Sequence, residues 1–126
     1  MIIDEWLTAK LIGSTSITQY TTQVYPLFIP EGKCAPAIVY QNIGSEKNRL
    51  ERNMVFSILS LHNSKGDAET LNEAVYSLFD NSTAQIRESS STLYIDSVNI
   101  ISNSVCLYEN DNQHWVRALD ISVWYH

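Results

Sequence analysis

The sequence predicts an α+β fold: a mainly antiparallel sheet built from two hairpins, with two helices packed on it. Three observations predict it. Apolar residues recur at three- and four-residue spacing over residues 3–11 and again over 71–79, as on one face of a helix. Two pairs of long apolar or alternating runs, within 37–61 and 95–125, are each interrupted by a polar turn, as hairpins are. Helices and hairpins follow one another without the strict strand–helix alternation that marks a parallel sheet.

The first helix rests on Ile3, Trp6, Leu7, Lys10 and Leu11, and Gly13 stops it, as a glycine past a helix end does. Residues 14–23 are rich in Ser and Thr. A loop and a β-branched strand over 17–22 fit them equally. Residues 24–30 are apolar but carry Pro26 and Pro30, which cannot donate to a ladder, so they read as an extended edge segment. Residues 37–43 form a strand that Gly44 ends, and the charged stretch 45–49 turns the chain. Residues 54–61 are apolar on both faces and need cover on both, the second cover being available from a neighbouring subunit.

Asp67 is the expected N-cap of the second helix, which runs to Asp80 and presents Leu71, Ala74, Val75, Leu78 and Phe79. Residues 83–92 form a polar connection. The last third is a long hairpin with arms 95–108 and 114–125 about the turn Asn110-Asp111-Asn112. In its second arm Trp115, Arg117, Leu119, Ile121, Val123 and Tyr125 share one face, and Val116, Ala118, Asp120, Ser122 and Trp124 the other. The two tryptophans therefore cannot enter the same core.

A chain of 126 residues with 44% hydrophobic residues can bury an adequate core and is read as one domain, 1–126. Its net charge of −6 argues against binding phosphate backbones, which lysines and arginines must neutralise. Among its eight basic residues only Lys47, Arg49 and Arg52 cluster. Cys34 and Cys106 stand far apart, outside any CxxC, and read as reduced, partly buried thiols. The opening Met1-Ile2-Ile3-Asp4-Glu5-Trp6 carries acids where a secretory signal needs a basic region, and no apolar run reaches membrane-spanning length. The expectation is a protein made in a cytoplasm, with no membrane partner.

Chemistry-bearing motifs are missing. His62, His114 and His126 lack metal-ligand spacing and read as a strand-end, a turn-flanking and a terminal residue. Neither GxGxxG nor GxxxxGK[ST] occurs, so no glycine-rich phosphate cradle is expected. There is no GxSxG elbow and no Ser-x-x-Lys pair. Asp96, Asp111 and Asp120 are better explained by solvated faces than by acid–base work. Asn81-Ser82-Thr83 matches a glycosylation sequon that is idle without secretion. No cofactor, no metal and no catalysis are expected. The large strand residues Trp115 and Trp124 suit either core packing or an interface anchor.

Tyr25-Pro26 followed by Pro36-Ala37-Ile38-Val39-Tyr40-Gln41 resembles the "Pro … Pro-x-Ile-Val-Tyr" signature of phage tail-completion, or tail-terminator, proteins. The rest of the layout is similar too: an N-terminal helix, a polar hairpin loop, a long apolar strand, an Ala/Leu-rich helix and a terminal hairpin ending in Val123-Trp124-Tyr125. Ala37 stands where an aromatic is common. The resemblance implies a ring, usually of six subunits, that caps the head-proximal end of the tail tube. Such a ring stops tube polymerisation, offers a docking surface to a neck or head-completion protein, and lets DNA pass without specific binding. It implies assembly in a host cytoplasm and residence at the head–tail junction of the virion. The residues assigned to subunit or tube contact are Lys47, Arg49, Arg52 and Trp124, with a solvated turn as the alternative for the first three. Two other functions remain open: a head-side neck adaptor, and a small ligand-binding α+β domain, whose apolar cavity with converging polar groups the sequence does not advertise.

Overall fold

The computed structural model describes residues 2–47, 50–80, 86–90 and 92–126. Three helices, α1 (Ile3–Ile12), α2 (Thr15–Thr18) and α3 (Lys65–Phe79), join seven strands. The strands are β1 (Val24–Pro26), β2 (Ala37–Lys47), β3 (Arg52–His62), β4 (Glu88–Ser90), β5 (Leu93–Asn103), β6 (Leu107–Glu109) and β7 (His114–Tyr125). They form one sheet in the order β1-β2-β3-β7-β5-β4, with β6 also paired to β7. The class is α+β as expected, but the sheet is mixed, because β1 lies parallel to β2.

Sequence-level expectations are corrected element by element. A third helix, α2, occupies the Ser/Thr-rich stretch after α1 and buries Ile17 completely. α3 starts earlier than Asp67: Ser64 is its N-cap and accepts a hydrogen bond from the Asp67 amide, while Asp67 sits in the first turn. β2 does not end at Gly44. A bulge at Ile43, between the pairs Asn42↔Phe56 and Gly44↔Val55, keeps the glycine in the ladder, and pairing continues to Lys47↔Arg52. The first arm of the last hairpin is broken into β5 and β6, which pair with the two halves of β7. The polar connection 83–92 contains β4, and residues 83–85 and 91 of it lie outside the described set, as does the sequon at 81–83.

All three helices pack on one face of the sheet. On β3 this inner face presents Met54, Phe56 and Ile58, and register places them beside Val123, Ile121 and Leu119 of β7. Phe56, Ile58, Leu119, Ile121 and Val123 are completely buried, together with Leu7 and Leu11 of α1 and Leu71, Val75 and Phe79 of α3. Burying each such side chain contributes about 1.5–3 kcal/mol relative to leaving it exposed. The alternation read along the second arm holds: Trp115 lies on the helix side, its ring tilted 60° against that of Tyr108 with centroids 5.1 Å apart, and Trp124 lies on the other. No helix among the described residues is long and apolar enough to cross a membrane.

Candidate assembly surface

The β2–β3 hairpin ends one side of the sheet and brings Lys47 and Arg52 together as the last pair of its ladder. Both side chains are exposed, and Leu50 beside them is 80% exposed. Ile2, Leu93, Tyr125 and His126 close around this pair in a shallow depression of about 500 Å³. Its remaining charge is Glu51, so the basic character is partly offset. Trp124 is one register step away, opposite Asn53, but on the outer face, whereas Arg52 pairs with the inward-facing Tyr125. The four residues singled out from the sequence are therefore not one patch: Lys47 and Arg52 meet, Trp124 faces the opposite way, and Arg49 lies outside the described residues.

The outer face has no helix. Its centre is a polar row in which Gln41, Ser57, Asp120 and Ser102 stand side by side on four strands. The Ser102 hydroxyl donates to the Asp120 carboxylate at 3.1 Å. Asn53 is buried beside Trp124 and donates from Nδ2 to the Ser122 hydroxyl at 2.6 Å and to the Val123 carbonyl at 3.3 Å. The two-sided apolar character of residues 54–61 is met only in part by a neighbour-independent cover. Residues 27–35 fold across one end of this face, and Ile29 and Ala35 pack on Val39, Leu59, Leu61 and Val116. That packing corrects the expectation of a purely extended edge segment: β1 is the extended part, and the rest turns inward.

Between that loop and the sheet is a hollow of about 450 Å³, which sequence reasoning missed. Val39, Leu59 and Leu61 form its apolar floor, Leu27 and Phe28 its rim, and His114, Glu109, Asn112 and Asn63 its polar wall. His114 is only 5% exposed. Its Nε2 has no hydrogen-bond partner, the nearest carboxylate oxygen being that of Glu109 at 3.5 Å, in poor geometry for a bond. Leu27 holds φ of 69°, a left-handed conformation rare for a leucine, and turns the chain out of β1. No local signal marks His114 as buried, because its cover comes from residues 80 positions away. Among the described residues no three His, Cys, Asp or Glu side chains come together as metal ligands would.

No protein-family model and no curated protein matches this sequence. Among solved structures the chain is similar to one chain of a structure described as the virion of a native gene transfer agent (GTA) particle. The TM-score is 0.68 at 10% sequence identity, over 92% of this chain and 88% of the other. The two share a fold nearly from end to end.

Proposed function

We propose that this chain is a non-catalytic structural protein of a tailed-phage-like particle. Its proposed form is a ring, of six copies in the family it resembles, that caps the tail tube, ends tube polymerisation and joins tail to head. The observation that carries this reading is the likeness of almost the whole chain, with little left over on either side, to a chain of a GTA virion. An outer sheet face covered only at one end and an exposed, partly basic hairpin end agree with a part whose surfaces are completed by assembly. The acidic balance suits a bore through which DNA moves without being held. The proposed partners are further copies of the chain, the tail-tube protein and a neck or head-completion protein, met in the host cytoplasm and kept in the virion.

Electron microscopy of particles lacking the protein tests this. Overlong tails are the expected result. Tail-less heads with tails of normal length favour a head-side neck adaptor instead, and particles without any defect overturn the assembly role. Glutamate at positions 47, 49 and 52 together is expected to impair joining while each subunit still folds; normal infectious particles would remove those residues as contacts. Turnover of generic ester or phosphate substrates by the purified chain would overturn the non-catalytic reading.

A further inference from the structure

The two ends of the strands carry opposite features. At one end the β2–β3 hairpin stands clear of the body, and every residue of β2 from Asn42 to Lys47 is exposed. Leu50, past the last pair of the ladder, is 80% exposed, more than any other large apolar side chain among the described residues. Neither Lys47 nor Arg52 beside it takes part in an ion pair among those residues. An apolar side chain held out in this way between two uncompensated cations is built as an anchor for a partner.

At the other end lies the hollow, floored by Val39, Leu59 and Leu61. The charges on its wall are Glu31, Glu109 and Lys33, so acids outnumber the base. His114 is too buried to meet an occupant. Around the hairpin tip the balance is reversed, with Lys47 and Arg52 set against Glu51. Tip and hollow are therefore both apolar at the centre and opposite in charge at the margin. One chain cannot bring them together: β3 runs from Arg52 at the hairpin to Leu61 on the floor, roughly 30 Å at about 3.4 Å per residue. They can meet only between copies. Charge also sets the direction, because tip against tip opposes cations and hollow against hollow opposes acids.

We infer that the hairpin tip of one copy docks in the hollow of the next, with Leu50 on the apolar floor and Lys47 and Arg52 against Glu31 and Glu109. The exposed rim residues Leu27 and Phe28 leave water in the same step. The contact joins two unlike patches of one surface. Repeated, it closes into a ring when each step turns the next copy, and runs on as a stack when it does not. It rests on the ring reading and names the surface that the basic hairpin meets.

Cys34 is exposed on the wall of the hollow and reports the contact. The test is Leu50→Cys in a Cys106→Ser background, oxidised with diamide in a mixture of isotopically labelled and unlabelled chains, both in concentrated solution and in assembled particles. The two thiols pass two protons and two electrons to the N=N bond of diamide and form one S–S bond. The expected result is a disulfide from the introduced thiol to Cys34 that joins a labelled chain to an unlabelled one. Ile12→Cys, at an exposed position on α1, is expected to give no such adduct. Independently, Leu50→Asp is expected to weaken self-association at least about tenfold with an unchanged thermal transition, as loss of a central apolar anchor does. Arg52→Glu is expected to weaken it too, and adding Glu31→Arg to restore part of the loss, which a merely misfolded variant would not show. Where the free chain is monomeric, the adduct in particles decides. Particles that contain the chain but give no Cys34 adduct overturn this contact and leave the assembly role standing. So does wild-type association of Leu50→Asp. Particles that never contain the chain overturn the assembly role, whatever the solution adduct shows.

Discussion

The two faces of the sheet are built from the same strands and are used in opposite ways. On β3, Ile58 and Leu59 are neighbours in sequence. Ile58 is completely buried beneath the helices, and Leu59 is half-buried at the edge of the hollow. Along β7, Leu119, Ile121 and Val123 are sealed, while Ala118, Asp120, Ser122 and Trp124 keep access to solvent. The inner face is finished within one chain. The outer face is finished only at one end, by residues 27–35, and is polar at its centre. Folding free energy is thus concentrated on one side, and the other side is left with surface for association.

Truncation of the inner face should produce the largest loss. Phe79 is fully buried at the end of α3 with its ring 6.3 Å from that of Trp6. Phe79→Ala is expected to cost about 3–5 kcal/mol through lost burial and the cavity left behind. Chemical denaturation measures it. A loss under about 1 kcal/mol would mean that α3 is not clamped on the sheet by this residue, and the contrast between faces would fail at its strongest point.

The neighbouring pair on β3 sharpens the contrast within a single strand. Ile58→Ala is expected to cost about 2–5 kcal/mol, and Leu59→Ala roughly half of that or less, because Leu59 is only partly buried. Equal destabilisation by the two variants in dilute solution would show that the outer face is as closed as the inner one.

What the sequence disclosed follows the same division. The alternation of β7 and the α3 stripe were legible because burial on one face imposes a period of two or of about 3.6 on the residues themselves. α2 was not, because four residues with the single apolar Ile17 carry no period. Gly44 reads as the end of a strand, yet the bulge beside it lets the ladder run on to Lys47. The pairing of Lys47 with Arg52 could be anticipated from a hairpin turn and the facing of Trp124 from the alternation of β7, whereas the place of Trp124 opposite Asn53, one step from Arg52, needed the register. The hollow was invisible for a different reason: its walls come from residues 27–41, 59–63 and 109–114, which no local pattern links. His114 reads as a turn-flanking polar residue until those segments are superposed.

The smallest effect concerns the two thiols, one on each side of the sheet. Cys34, expected from the sequence to be partly buried, is exposed at the hollow on the outer face, because residues 27–35 turn it towards solvent. Cys106 is half-buried near Lys65 and Glu69 of α3; burial raises its pKa above the usual thiol value, Glu69 adds to the rise, and Lys65 and Arg117 oppose it. Alkylation proceeds through the thiolate, so a raised pKa leaves less of the reactive form at neutral pH, and partial burial also slows access. Iodoacetamide at pH 7 should therefore label Cys34 several-fold faster than Cys106, with the Cys106 rate still climbing as pH is raised well above neutral. Mass spectrometry of timed digests reads both rates. Cys106 reacting first in the dilute chain would contradict the burial that separates the two sides.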